Sequence, residues 1–137
     1  MNLALNEARL AFSNQEVPVG AVLVKENKII SQSFNQSISK KDPSGHAEMN
    51  VLRDASKKLN NYRLNGCSLY VTLEPCVMCM GAIYWSQLSK VVFGAKDKKR
   101  GYQQAQLTPH PRATVLEGIM ADEAAALIQG FFQKRRT

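Results

Sequence analysis

No window of this sequence approaches the roughly 18 uninterrupted apolar residues that a helix needs to cross a bilayer. Met1 to Phe12 carries Asn6, Glu7 and Arg9 where a secretory leader would have a basic start and then an apolar run. A soluble, cytoplasmic protein with no membrane partner is the expectation. Cysteine is scarce and odd in number, three residues in all, which makes a disulfide framework a poor reading. Two of the three stand as Cys76-Val77-Met78-Cys79, a spacing that suits a metal or redox site, and Cys67 is left over as an expected buried thiol. Acidic residues are also few, eleven against eighteen Lys and Arg, for a net charge of +7. The excess gathers at Lys96-Asp97-Lys98-Lys99-Arg100 and Lys134-Arg135-Arg136. Such a balance suits a polyanionic partner and says nothing about fold; a basic surface kept for solubility is the plainer alternative. There is no internal repeat, low-complexity tract or interdomain linker. A chain of 137 residues, 45% of them apolar, is expected to form one domain over residues 1–137 around one core.

What is present is regular hydrophobic periodicity. Leu5, Ala8, Ala11 and Phe12 recur at helical spacing, with Ala4 on the same face, and Pro18 ends any helix there. Val19 to Val24 is β-rich, Lys25-Glu26-Asn27-Lys28 is a polar turn, and Ile29 to Phe34 completes a predicted antiparallel hairpin. A polar loop with Asp42-Pro43-Ser44-Gly45 precedes a stripe of Ala47, Val51, Leu52, Ala55 and Leu59, which predicts a helix from about His46. Asn65-Gly66 breaks the chain before a strand from Cys67 to Leu73, and Pro75 opens a helix from about Cys76 to Ser86. Val91-Val92-Phe93 is the next strand. Lys96 to Arg112 has no period and is predicted as loop, Ala113 to Leu116 as a short strand, and Ala121 to Phe132 as a closing helix. Strands alternating with helices predict an α/β layered fold.

Four residues carry the chemistry. His46 and Glu48 fall at one predicted helix start, Cys76 and Cys79 at another, and a spacing of three puts both thiolates on one helix face. Thiolate and imidazole suit a borderline-soft cation such as zinc better than iron. A lone Cys-x-x-Cys is weak, since it also serves redox pairs and structural zinc sites, so the ligand count matters. A structural site needs a fourth ligand. Cys67 begins a strand whose six further residues, at about 3.3 Å each, carry it some ~20 Å from the ligands; His110 stays open as a fourth ligand. Three ligands and an open position describe a catalytic zinc, which lowers the pKa of a water and supplies hydroxide near neutral pH. Such a site needs a proton carrier. In a regular helix Glu48 would lie about 200° around the axis from His46, but at a first turn both side chains can converge on a centre off the helix end. Both helix starts would also direct their positive dipole ends at the thiolates.

His46-Ala47-Glu48 with Pro75-Cys76-Val77-Met78-Cys79 resembles the signature of the zinc-dependent nucleobase deaminases. Glu16 to Val24, Asp42-Pro43, Thr72-Leu73-Glu74-Pro75 and Val91 to Asp97 extend the resemblance to the bacterial tRNA-specific adenosine deaminases, from about Leu3 to Arg136. This resemblance implies hydrolytic conversion of the wobble adenosine of a tRNA anticodon to inosine, with one zinc ion per subunit and Glu48 as proton shuttle. It also implies a three-layer α-β-α fold with a central five-stranded mixed sheet, and a homodimer around the anticodon stem-loop. Carried over by position, Asn35 hydrogen-bonds the base, Val17, Pro18 and Leu73 wall the pocket, and Asp97 lies near the flanking RNA. Gly101 to Arg112 departs from the family pattern where relatives contact the anticodon loop, which bears on substrate choice. Phe131 and Phe132 before Lys134-Arg135-Arg136 offer a stacking and phosphate-binding end, or at least one phenylalanine packs the helix. Two other functions fit parts of the pattern: a deaminase of free guanine, cytosine or a nucleoside, and a non-catalytic zinc-stabilised RNA-binding module. A structural site has no need of Glu48, which disfavours the last.

Overall fold

The computed structural model describes residues 1–136, with side chains to Arg135; Thr137 and the side chain of Arg136, the last cation of the terminal cluster, lie outside the described part. The first helix, α1 (Asn2–Ser13), buries Ala4, Leu5, Ala8 and Ala11, the stripe its spacing predicts. The hairpin follows as β1 (Gly20–Lys25) and β2 (Lys28–Phe34), paired antiparallel with an irregularity between Leu23 and Val24. Its two turn residues, Glu26 and Asn27, take positive φ of 52° and 63°, the double left-handed turn whose twist matches that of two joined strands.

Next come α2 (Ala47–Leu59), β3 (Cys67–Leu73), α3 (Val77–Ser86), β4 (Lys90–Ala95), β5 (Thr114–Leu116) and α4 (Ala121–Arg136). The last helix runs a turn beyond the expected Phe132, because Gln133-Lys134-Arg135 are good helix formers and cations complement a helix C-terminus. The sheet has five strands in the order β2-β1-β3-β4-β5. β1 is antiparallel to both its neighbours, while β3, β4 and β5 are parallel. Central β1 and β4 are buried along most of their length, as strands covered on both faces must be, and the edge strands β2 and β5 are the exposed ones.

Helices α1 and α4 pack together on one face, α2 and α3 on the other, giving the three-layer mixed-sheet fold expected. The main core joins Leu23, Leu69, Val71, Val91 and Phe93 of the sheet to Val51, Leu52 and Met80 of α2 and α3. A smaller cluster under α1 and α4 centres on Leu5, Ala95 and Ala124. Gly20 marks the closest approach of helix to sheet: a Cβ there would collide with the carbonyl oxygen of Ala4 and lie 2.5 Å from the backbone nitrogen of Ala8. Gly20→Ala is therefore expected to destabilise the fold by about 1–3 kcal/mol, seen as a lower denaturation midpoint at unchanged m-value. An unchanged midpoint would show that α1 shifts without cost.

The register decides where function can sit. Pairing of Ala21 with Val71, Val71 with Phe93 and Leu73 with Ala95 brings the entry of β1 and the exits of β3 and β4 to one edge of the sheet. The exit of β2 lies there too, Phe34 pairing with Gly20, and the chain leaves β2 into α2 and β3 into α3.

Candidate active site

Both ligand-bearing helices begin at this edge. His46 is the residue before α2, with extended backbone (φ −71°, ψ 151°), and Cys76 holds the same place before α3 (φ −75°, ψ 177°). Neither caps its own helix with its side chain, so imidazole and thiol remain free for other work. Asn35 supplies the missing cap of α2 from the end of the hairpin: its Oδ1 accepts the Ala47 N–H at 3.0 Å, and its own N–H donates to the Val19 carbonyl at 3.0 Å. The cap thus comes from a residue twelve positions away.

His46 Nδ1 lies 3.6 Å from Cys76 Sγ and 3.5 Å from Cys79 Sγ, and the three ligand atoms all fall within 4.8 Å of one another. Tetrahedral zinc, with Zn–S about 2.3 Å and Zn–N about 2.0–2.1 Å, sets N and S ligands roughly 3.6 Å apart. The donor set and its spacing therefore fit one zinc ion. Among the described residues this is the one such group of three or more ligand side chains. Cys67 is buried in the core at the far end of β3, where burial raises its thiol pKa. His110 also lies apart, its ring 5.0 Å from that of Tyr84 and its Nδ1 accepting the Arg112 N–H at 3.1 Å. No fourth protein ligand joins the group among the described residues.

Electrostatics in the cluster follow from burial and shared hydrogens. The hydrogen bond from Cys79 holds the Cys76 thiol down at about 4, with the His46 hydrogen bond adding to the effect. Cys79, the donor and more deeply buried, is raised instead. The Cys76 hydrogen bond raises His46. Glu48, 4% exposed in the first turn of α2, is pushed up to about 7 chiefly by loss of solvent. A carboxyl there exchanges protons readily near neutral pH.

The cluster opens into a cleft of ≈ 790 Å³. His46, Glu48 and Cys76 line it together, so the first-turn geometry does bring the histidine and the carboxylate to one space. Of the other positions singled out in the sequence, Asn35, Val17, Leu73 and Asp97 line the cleft; Pro18 is buried and is not among the lining residues, and its neighbour Val19 is. Asp97 Oδ1 accepts the N–H groups of Lys99 and Arg100 at 3.1 and 3.0 Å, which folds the loop after β4 and turns Lys96 and Lys98 to Arg100 into cleft lining.

Two lining residues, Gln129 and Gln133, had no sequence signal. Helix α4 contributes Ile128, Gln129, Phe132 and Gln133, one face of a helix far along the chain. Phe131 and Phe132 part company: Phe131 is 5% exposed and packs edge-on against Phe12, whereas Phe132 is 44% exposed at the cleft. Two buried glutamates belong to motifs whose sequence assigns them no role. Glu16 accepts the Ile38 and Ser39 N–H groups at 3.1 and 2.6 Å, and Glu74 accepts those of Asp97 and Gln103 at 3.0 and 2.9 Å. A glutamate standing just before a proline, by two residues for Glu16 and by one for Glu74, was the available hint.

Comparison with known proteins adds to this geometry. Residues 1–95 match the family model of the cytidine and deoxycytidylate deaminase zinc-binding region. The tRNA-specific adenosine deaminase of Aquifex aeolicus (strain VF5) is 43% identical, the match covering 99% of this chain and 93% of that protein. A solved structure from studies of A-to-I editing by tRNA:A34 deaminases at the wobble position superposes with a TM-score of 0.85 at 39% identity, over 93% of this chain and 96% of that one. The guanine deaminase of Nitrosomonas europaea superposes with a TM-score of 0.80 at 25% identity, over 95% of this chain and 81% of that one.

Proposed function

Since the chain belongs to the cytidine and deoxycytidylate deaminase zinc-binding family, we propose that it deaminates the wobble adenosine of a tRNA anticodon to inosine, water entering at C6 and ammonia leaving. The observation that carries the reading is one cleft lined both by the His46, Glu48 and Cys76 chemistry and by the cationic loop of Lys96, Lys98, Lys99 and Arg100. A free base carries no phosphate for such a loop to meet; an anticodon does. Likeness to the tRNA-specific deaminases at 43% identity, against 25% to the guanine deaminase, points the same way.

Zinc held by His46, Cys76 and Cys79 supplies an activated water when bound. Glu48 would take the two protons of the attacking water in turn, passing the first to the ring nitrogen and the second to the departing amine, which leaves as ammonia. Asn35, its Oδ1 committed to the Ala47 N–H, offers its Nδ2 hydrogens to the base. Val17, Leu73 and Val19 supply apolar walls, with Pro18 buttressing them from behind. Asp97 acts on the flanking RNA through the loop it folds. Residues 1–137 work as a single domain. Helix α3 exposes Val77, Met78, Tyr84 and Trp85, the last at 74%, an apolar face that supports a homodimer formed through it; a monomeric mass in solution would count against this. No described helix is long and apolar enough to cross a membrane, and we assign the reaction to the cytoplasm, where thiol ligands stay reduced.

Purified protein offered an anticodon stem-loop with adenosine at the wobble position, alongside free guanine, cytosine and adenosine, is expected to form inosine in the RNA alone. Affinity for the stem-loop should fall steeply with salt, as release of phosphate counterions requires. Turnover of a free base with the RNA untouched would replace this reading by a free-base deaminase.

A further inference from the structure

Glu74 is 3% exposed, and its carboxylate pairs with no cation among the described residues; it accepts two backbone N–H groups instead, from Asp97 at 3.0 Å and Gln103 at 2.9 Å. These donors stand at the two ends of the segment 97–103, which contributes Lys98, Lys99 and Arg100 to the cleft. The acceptor stands two residues before the ligand Cys76. Three further backbone contacts close the same junction. Cys76 and Gly101 form an isolated β-bridge, the Tyr102 N–H donates to the Pro75 carbonyl at 2.9 Å, and the Glu74 N–H donates to the Ala95 carbonyl at 2.8 Å. Gly101 is tied to this carboxylate sterically: a Cβ there would overlap the Glu74 carboxyl group, lying only 2.5 Å from Oε1.

A buried carboxylate with no side-chain partner is costly unless its oxygens are satisfied, and backbone N–H groups from a loop are the donors that keep it. The loop in turn gains the one connection that fixes its two ends at once. We infer that Glu74 is a positioning residue that locks the cationic loop 97–103 to the metal-bearing start of α3, so that phosphates held by the loop set the distance from the RNA backbone to the reacting base. This rests on the RNA reading given above. It assigns to Glu74 and Gly101 a share in recognising a polymeric substrate without touching it.

Two variants test the lock from opposite sides. Glu74→Gln keeps the size of the side chain but turns one oxygen into an NH2 group, which leaves one backbone donor facing another donor. Gly101→Ala keeps the carboxylate and displaces it. Each zinc-loaded variant is expected to speed hydrogen exchange at the Asp97 and Gln103 amides and to raise KM for the wobble-adenosine stem-loop, each on the order of tenfold. Effects on kcat should be smaller, and zinc content should stay at one ion per chain. Because both substitutions break one lock, the double variant should be no worse than the worse single one. Wild-type amide exchange in either variant would overturn the inference. So would an unchanged KM, or a fall in zinc content and kcat with KM unmoved, which marks general packing. Should the wild-type protein leave the stem-loop unmodified, the RNA reading fails, and amide exchange still decides whether the lock exists.

Discussion

Glu48→Ala is expected to leave one zinc ion per chain and to lower deamination by about 10²–10⁴-fold, the usual worth of a placed general acid–base group. The reason lies in the division of labour proposed for the start of α2. His46 faces the thiols at 3.5–3.6 Å, whereas Glu48 is not among the three grouped ligand side chains. Removing the carboxylate therefore leaves the donor set whole. What goes is a buried carboxyl whose burial lifts it to about 7, a group able to hold a proton and to release it in the same cycle. Zinc content by atomic absorption and inosine formation by chromatography separate the two roles. Loss of zinc in parallel with activity would make Glu48 a ligand and remove it as the proton carrier. Glu48→Gln should behave like the alanine variant, since the amide fills the space but cannot shuttle a proton.

Cys79→Ala is expected to do the opposite, abolishing zinc retention and activity together. Losing a partner outside the ligand shell already costs about 10–100-fold in metal affinity, so losing a ligand should cost more. Cys79 is fully buried in the first turn of α3, and a zinc ion held by His46, Cys76 and Cys79 would tie this turn to the start of α2. The melting temperature of the variant should consequently fall to that of wild-type protein stripped by a chelator, and zinc should raise it no further. Cys67→Ala provides the contrast. It removes a thiol of the core at the far end of β3 and should cost stability of about 1 kcal/mol while zinc and activity remain. A Cys67 variant that lost its zinc would move that residue into the site and undo the argument from strand length.

That argument is an instance of what local sequence determines well. A strand has a fixed rise, so Cys67 could be separated from Cys76 by counting residues, and the structure keeps them apart. Helical spacing likewise placed Leu5, Ala8 and Ala11 on one buried face, and the polar turn Lys25 to Lys28 marked the hairpin. The boundaries of the first three helices fell within a residue or so because proline, glycine and asparagine act on the backbone beside them, whereas the last helix, with no such residue after Phe132, runs on to Arg136. The loop 96–112 could be recognised only as lacking a period, and that was correct as far as it went: it is a chain of turns joined to the start of α3 by the Cys76–Gly101 bridge, the Tyr102–Pro75 hydrogen bond and two amides held by the Glu74 carboxylate.

Contacts between distant segments were beyond such reading. The order β2-β1-β3-β4-β5 depends on which hydrophobic strands pair, and Val22, Leu69, Val91 and Val115 are interchangeable in pattern. Asn35 stood just past a predicted strand with a base-binding role given only by resemblance, yet its Oδ1 caps a helix that begins at Ala47. Phe131 and Phe132 are identical neighbours in sequence, and only the rotation of α4 sends one to the core and the other to the cleft. Glu16 and Glu74 carry no periodicity at all; their partners are loop amides more than twenty residues away.

By itself, then, the sequence determined the donor set and its spacing: His46, Cys76, Cys79 and the proposed proton carrier Glu48 each sit within three residues of a helix start, where a short motif controls spacing and backbone direction. The tertiary structure decided what that chemistry can meet, bringing α4, the hairpin end and the cationic loop around one cleft. The division follows from range. Ligand spacing is set by bonds and turns that every local copy of the motif repeats, whereas the cleft is set by sheet register and buried carboxylates that join segments the chain itself keeps far apart.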